Sequence, residues 1–197
     1  MVEILGGRLG RVRCAVEAVY HRHNVSAILR TCDALGIHDV HLVGGPQLKV
    51  SKGAARGAER WLRLHHHAGP EEALAALSAA GVRVFVADLA DGSVPPEDVP
   101  VDQPVCLWFG AELVGVSEVA RAGADGVVTI PMRGFAQSLN VSVAAAVALR
   151  PVAERARALG ADALLDPADR AQIVAGWLAR EQRARTQIAR RGGATEN

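Results

Sequence analysis

The chain has 197 residues, of which 50% are hydrophobic, 22% charged and only 4% aromatic, and its net charge is +1. This composition is typical of a globular protein with one substantial core, and no apolar run approaches the roughly 20 residues that cross a bilayer. The first residues lack a basic region followed by an apolar one, so we expect no signal peptide. Three widely spaced cysteines without a CxxC pair favour reduced thiols and a cytoplasmic protein.

Helix and strand patterns alternate along the chain. A first helix is predicted over 24–36, with Asn24 as its N-cap and Gly36 as its C-terminal stop. Alternation of strands with helices implies a parallel sheet covered by helices on both faces, so we predict an α/β fold. Short β-branched runs predict strands over 38–43, 82–87, 105–110 and 126–130, and helical patterns cover 70–81, 115–124 and a segment that starts near 141.

The carboxyl-terminal segment has a different character. Ile173, Trp177 and Leu178 stand at helical spacing and predict an amphipathic helix, while the final GGATEN is expected to be disordered. We therefore divide the chain into a main domain over 1–160 and a basic helical extension over 161–197.

The charge is unevenly distributed. From Arg150 to the end, nine arginines stand against six acidic residues, and the amino-terminal stretch is also rich in arginine. Basic ends around a near-neutral middle suit a phosphate-rich partner. Solvated helix faces would explain the same pattern.

Several polar residues stand where a ligand site or a local structural role would explain them equally well. Ser138 and Asn140 flank Leu139 at the start of an apolar helix, where such side chains also cap free backbone N–H groups. Gly110 follows a predicted strand, the place where parallel α/β sheets bind ligands, although a turn glycine beside a solvated Glu112 fits as well. A helical arginine such as Arg30 commonly extends to solvent.

Two other kinds of site are disfavoured. His65, His66 and His67 are consecutive, so they cannot all face one ion from regular structure, and no cysteine or spaced carboxylate completes a ligand set. We predict no metal site, and we interpret Gly44 and Gly45 as a turn. The chain also lacks a glycine fingerprint after its first strand, which disfavours a nicotinamide-dependent dehydrogenase.

Three motifs in a fixed order change the interpretation of these residues. HNVSAILRTCDALGIHDVHLV, LWFGAELVGVS and IPMRGFAQSLNVSVAAA resemble the three motifs of the SpoU family of RNA ribose 2′-O-methyltransferases, within the SPOUT superfamily. The resemblance covers roughly residues 20–150 and is strongest to the branch that methylates a guanosine ribose in tRNA. It implies a deep trefoil knot in the C-terminal half of the domain. It also implies a homodimer in which the partner's first-motif helix completes each cofactor pocket.

The resemblance assigns roles by position. It implies S-adenosyl-L-methionine as cofactor and tRNA as partner, with methylation at position 18 of the D-loop, and no membrane or DNA partner, since DNA lacks the 2′-hydroxyl. Its catalytic residues fall on Asn24, Arg30, Glu112, Ser138 and Asn140. Its cofactor contacts fall on Ala87, Leu89, Gly110, Ile130, Met132 and Leu139. Beside these, the candidate RNA-binding residues are Arg8, Arg11, Arg22, Arg150, Arg155 and Arg157.

The substrate is less defined than the chemistry. Arg22, Arg133 and Phe135 depart from the family pattern at places where RNA would be read, so ribosomal RNA or another tRNA position stays open. A knotted RNA-binding protein without catalysis would be expected to lack Arg30 or Asn140, and both are present.

Overall fold

Six strands form one sheet in which every neighbouring pair is parallel, as the alternating pattern predicts. The computed structural model describes residues 2–19, 21–44, 57–111 and 114–192. The strand order is β3-β2-β1-β5-β4-β6. The strands are β1 (Leu9–Glu17), β2 (Ile37–Val43), β3 (Arg63–His67), β4 (Arg83–Ala87), β5 (Val105–Phe109) and β6 (Gly126–Val128).

Two of these strands, β1 and β3, are absent from the sequence-based prediction. In β1 the side chains of Arg11 and Arg13 interrupt the apolar pattern, although Val12, Cys14 and Val16 are fully buried. β3 lies at the sheet edge and has the sequence RLHHH, in which most side chains keep some contact with solvent. Both strands are stabilised by pairing with β2, which a local apolar pattern does not reveal.

Helices follow the predicted positions with changed ends. They are α2 (Arg22–Leu35), α3 (Pro70–Ala79), α4 (Glu118–Ala122) and α5 (Val141–Arg157), with 3-10 turns at Ala58–Trp61, Pro96–Asp98 and Gly160–Ala163. The predicted Asn24 cap is wrong, because α2 begins at Arg22 with His21 as its N-cap. The predicted stop is confirmed, since Gly36 has φ 76°, a left-handed conformation that glycine adopts without strain. α4 is shorter than the predicted 115–124 because Ser117 caps it.

The two faces of the sheet are covered by different helices. On one face, α2 and α5 bury side chains such as Ile28 and Leu149 against β1. On the other, α3 and α4 bury Leu77 and Ala120 against Trp108 of β5 and its neighbours. The prediction of a sheet covered on both sides is therefore confirmed.

The chain divides into two compact units. The sheet belongs to the unit Arg8–Leu164, and the other unit joins Met1–Gly7 to Leu165–Asn197. The division predicted after residue 160 did not foresee that the amino terminus belongs with the carboxyl-terminal segment, and the domain assignment itself stays a prediction.

The smaller unit contains two helices, α1 (Val2–Gly6) and α6 (Pro167–Gly192). Leu5, Leu165 and Trp177 are buried together, so the predicted amphipathic helix is confirmed, although Leu178 is exposed. The expected disordered end over 193–197 lies outside the described residues. None of the described helices is long and apolar enough to span a membrane.

Candidate functional site

A cavity of about 220 Å³ opens at the carboxyl ends of three adjacent strands, β5, β4 and β6. In parallel α/β sheets this edge is where ligands bind, because the connecting loops there are free to form a pocket. The walls come from the segments that follow these strands and from the first turns of α5, including Val141 and Ala144. The lining is mostly apolar side chains and backbone, which suits a ligand with a flat, weakly charged ring.

All six residues predicted to contact a cofactor line this cavity. Three successive strand ends and the segment before α5 supply them, so residues far apart in the chain converge on one space. They are Ala87, Leu89, Gly110, Ile130, Met132 and Leu139. The predicted catalytic residue Ser138 lines the cavity with them.

The wall that follows β5 depends on a glycine. A Cβ atom at Gly110 would overlap the backbone of Gly115, which folds back against it. Ala111 N–H donates to the carbonyl of Gly115 at 3.1 Å, and Gly115 N–H donates to the carbonyl of Ala111 at 2.8 Å. Gly115 itself has φ 69°. The glycine at position 110 is therefore required by a close backbone approach at the cavity wall.

Asn140 serves two structural functions at once. It is the N-cap of α5, where its Oδ1 accepts hydrogen bonds from Ser142 N–H at 3.0 Å and Ser142 Oγ at 2.6 Å. Its Nδ2 donates to Oδ1 of Asn24 at 3.3 Å. The cap explanation is thus correct for Asn140, and the side chain still reaches Asn24 on α2.

Arg30 is not among the residues that line the cavity. Arg30 is exposed on α2, and no hydrogen bond or ion pair to it occurs among the described residues. Glu112 lies outside the described residues. Within one chain the fold unites Ser138 with the cofactor candidates and Asn24 with Asn140, but it leaves Arg30 apart from the cavity lining.

One predicted RNA contact is corrected by the structure. Arg8 is buried, forms an ion pair with Asp33 and donates to the carbonyl of Ile37. The Arg8 side chain is only 4% accessible, so its guanidinium cannot reach a phosphate at the surface, and Arg8 does not belong to the RNA-binding set. Its charge holds the end of α2 against the start of β1.

The other five arginines differ in how far they are engaged. Arg11 donates to the carbonyl of Asp162 at 3.2 and 3.1 Å and to that of Asp102 at 2.5 Å. Nη1 of Arg155 donates to the carbonyl of Val99 at 2.6 Å, and Nη2 of Arg157 donates to the carbonyl of Leu35 at 2.8 Å. Arg22 and Arg150 are exposed, as are Arg133 and Phe135 beside the cavity.

The three consecutive histidines form part of a polar cluster on the sheet. Nε2 of His65 donates to Oδ1 of Asp39 at 2.6 Å. The His65 ring stacks on His41, whose Nδ1 lies 2.9 Å from Nε2 of His67. Along a strand, alternate side chains point to opposite faces, so His66 is directed away from this cluster and is exposed. The described residues include no group of three or more side chains that could hold a metal ion.

Protonation of this cluster is shifted by burial and by its neighbours. Burial, with the nearby His65 and His67, lowers the pKa of His41 to about 3. Burial of Asp39 opposes its ionisation, but hydrogen bonds from His65 and Arg63 outweigh that effect and hold its pKa below the usual range. The cluster is consequently neutral at His41 and charged at Asp39 near neutral pH.

Sequence reasoning missed one charged residue of the cavity. Asp88 is the single ionisable side chain among the described residues of the lining, and it follows β4 directly. It stands between the predicted contacts Ala87 and Leu89. Its position at a strand end was the available signal.

The chain matches the family model described as the SpoU rRNA Methylase family over residues 11–150. A relative from Thermus thermophilus, named tRNA (guanosine(18)-2′-O)-methyltransferase, is 40% identical over 183 residues, covering 89% of this chain and 92% of the relative. An Escherichia coli relative with the same name is 38% identical over 148 residues, which are 75% of this chain. The match spans 65% of the length of that relative. The solved structure of the TrmH/SpoU tRNA modifying enzyme of Aquifex aeolicus superimposes with a TM-score of 0.83 at 30% identity, covering 91% of this chain and 93% of that one.

Proposed function

The chain belongs to the SpoU rRNA methylase family, and from this premise we propose that it is an S-adenosyl-L-methionine-dependent tRNA (guanosine-2′-O)-methyltransferase. The proposed target is the ribose of guanosine 18 in the D-loop, the position named for two relatives that are 38% and 40% identical. The observation that carries the proposal is the convergence, on one cavity at the carboxyl ends of parallel strands, of the six residues that the family resemblance implies as cofactor contacts.

The cavity fits the proposed cofactor in shape and chemistry. Leu89, Ile130 and Leu139 offer apolar surfaces for an adenine ring, and backbone groups beside Gly110 offer hydrogen bonds without a side chain in the way. Bound there, S-adenosylmethionine would supply a methyl group that is already activated by its sulfonium. The protein then has to bring the ribose 2′-oxygen into line with that methyl group and ease removal of the hydroxyl proton, and alignment alone can contribute several kcal/mol.

Arg30 is proposed to hold the substrate in this alignment. A guanidinium has a pKa above about 12 and stays protonated in proteins, so it does not act as a base. It instead donates charge-assisted hydrogen bonds to the target phosphate and ribose. The methyl group would pass from the sulfonium sulfur to the 2′-oxygen, with S-adenosylhomocysteine as the leaving group, and the proton of the 2′-hydroxyl would pass to a substrate phosphate or to water.

The position of Arg30 outside the residues that line the cavity supports a dimeric active site. One chain places Arg30 on the exposed side of α2, outside the residues that line its own cavity. We propose a homodimer in which α2 of one protomer carries Arg30 to the cavity of its partner. A knotted carboxyl-terminal half, as the family resemblance implies, belongs to the same proposal.

The function is tested by methyl transfer from labelled S-adenosylmethionine to an unmodified tRNA transcript, with ribosomal RNA in a parallel reaction. We expect one 2′-O-methylguanosine, mapped to position 18 and absent from the Arg30→Ala variant. A matched transcript with a 2′-deoxy nucleotide at that position should accept no label. Labelling of ribosomal RNA alone would contradict the tRNA assignment, and absence of transfer to both would contradict methyltransferase activity.

A further inference from the structure

A buried carboxylate lies behind the cavity wall at the end of β1. Glu17 is 6% exposed, and its Oε2 accepts hydrogen bonds from Trp108 Nε1 at 2.9 Å and from the backbone N–H of Ser117 at 3.2 Å. These donors come from 91 and 100 residues further along the chain. Glu17 therefore connects the first strand of the chain to the segment just after the Gly110–Gly115 wall.

Ser117 connects Glu17 to α4 because it caps the start of that helix. Its Oγ accepts a hydrogen bond from Ala120 N–H at 3.1 Å, and its carbonyl accepts one from Arg121 N–H at 2.9 Å. α4 has only five residues, too few to be stable as an isolated helix. The position of α4 consequently depends on what holds its ends.

The other end of α4 is attached to the cavity itself. Arg121 forms an ion pair with Asp88, which lines the cavity. Asp88 is in turn fixed locally, because its Oδ1 accepts Leu89 N–H at 2.7 Å and its carbonyl accepts the hydroxyl of Thr129. The ion pair thus joins α4 to the two strand ends that form the opposite side of the cavity.

We propose that Glu17 and Asp88 are positioning residues of the cofactor pocket. Glu17 holds the start of α4 and Asp88 holds its end, so the wall at Gly110 and Gly115 is kept in place before the cofactor arrives. A wall that is ordered in advance costs less conformational entropy on binding. This inference rests on the proposed function, since it takes S-adenosylmethionine as the ligand of the cavity.

The two attachments differ in strength. Loss of a buried acceptor leaves the Trp108 and Ser117 donors unsatisfied, which costs more than an ordinary hydrogen bond contributes. The Asp88–Arg121 pair is partly exposed, with side chains 21% and 37% accessible, so solvent weakens it. Removing Glu17 should therefore loosen the wall more than removing Asp88 or Arg121.

Affinity for S-adenosylmethionine, measured by calorimetry on the full chain without RNA, tests the inference. We expect Glu17→Met to raise the Kd about tenfold or more, and Arg121→Gln and Asp88→Asn to raise it about threefold. The charge-reversed double variant Asp88→Arg with Arg121→Asp should bind more tightly than either reversed single variant. Amide hydrogen exchange of residues 114–117 should accelerate in Glu17→Met.

The control separates positioning from general loss of stability. The carboxylate of Asp125 accepts Val84 N–H at 2.8 Å and does not line the cavity, so Asp125→Ala, which removes this acceptor, should lower Tm without changing the Kd. If Glu17→Met does not fold, the Kd of Arg121→Gln still tests the inference, because the Arg121 side chain is partly exposed and its substitution should not prevent folding. An unchanged Kd in Arg121→Gln, or the same rise in Asp125→Ala, would overturn the inference. A wild-type protein that binds no S-adenosylmethionine would overturn the proposed function instead.

Discussion

The side chains of Asn24 and Asn140 meet across 116 residues of chain, with Nδ2 of Asn140 3.3 Å from Oδ1 of Asn24. Oδ1 of Asn140 accepts two hydrogen bonds from Ser142, so the amide nitrogen of Asn140 is the atom that faces α2. The contact joins the helix that carries Arg30 to the helix that follows the cavity segment. It thus ties the first and third sequence motifs to one another within a single chain.

Substitutions at Asn140 should separate its two functions. Asn140→Asp retains an acceptor for the α5 cap but loses the donor to Asn24, so we expect nearly wild-type Tm with reduced methyl transfer. Asn140→Ala loses the cap as well, at a cost of about 1 kcal/mol. Asn24→Ala removes the same contact between helices and should likewise reduce methyl transfer. Thermal unfolding and turnover of each variant measure this, and equal Tm for the Asp and Ala variants would contradict it.

Gly110→Ala should abolish cofactor binding. The added methyl group would overlap the carbonyl of Gly115, so the wall must move away from the position that encloses the cavity. We expect no measurable heat on titration with S-adenosylmethionine. Gly176→Ala is the control, because nothing lies within 4 Å of its added Cβ and it stands inside α6, where alanine is favoured. Normal binding by Gly110→Ala would show that the wall adapts.

Substitution of Arg8 should affect the stability of the fold, whereas substitution of Arg22 should affect RNA binding. Arg8→Ala leaves the partly buried Asp33 without its ion-pair partner, and such a loss costs about 1–3 kcal/mol. Urea unfolding should report that loss. Arg22→Ala removes an exposed charge, so Tm should stay unchanged while tRNA affinity falls and the salt dependence of binding weakens by about one unit of slope. A stable Arg8→Ala protein with weakened RNA binding would reverse this assignment.

Stability should fall in mild acid because of His41. Its pKa is about 3 in the folded protein, against an ordinary value of 6.5, so the unfolded chain binds a proton that the folded chain does not. The stabilisation is fully present above pH 6.5 and declines as the pH falls towards 3. One proton corresponds to a slope of about 1.4 kcal/mol per pH unit. Asp39, whose pKa is lowered, adds a loss at still lower pH.

Urea unfolding between pH 7 and 4 measures this slope. His41→Gln should flatten it, whereas His66→Gln, altered at an exposed side chain of the adjacent strand, should leave it unchanged. If both variants keep the wild-type slope, another group controls acid unfolding.

Much of the fold follows from local patterns. Apolar β-branched runs that alternate with helical runs were sufficient to predict four strands, the main helices and a sheet covered on both faces, because burial repeats with the period of each element. The cavity residues were recognised through motifs, and parallel topology brings them together because each follows the carboxyl end of a strand.

What local patterns do not contain is the identity of a residue's distant partner. Arg8 has the same sequence signature as a surface arginine, and only the packing of α2 beside β1 encloses it with Asp33. The position of Asn24 in the sequence predicts a helix N-cap. In the structure α2 begins two residues earlier, and the side chain of Asn24 accepts a hydrogen bond from Asn140. The sequence alone therefore determined the class of fold and the position of the site. The tertiary structure decided which polar groups are paired and buried, because pairing depends on contacts between residues 25 to 116 positions apart.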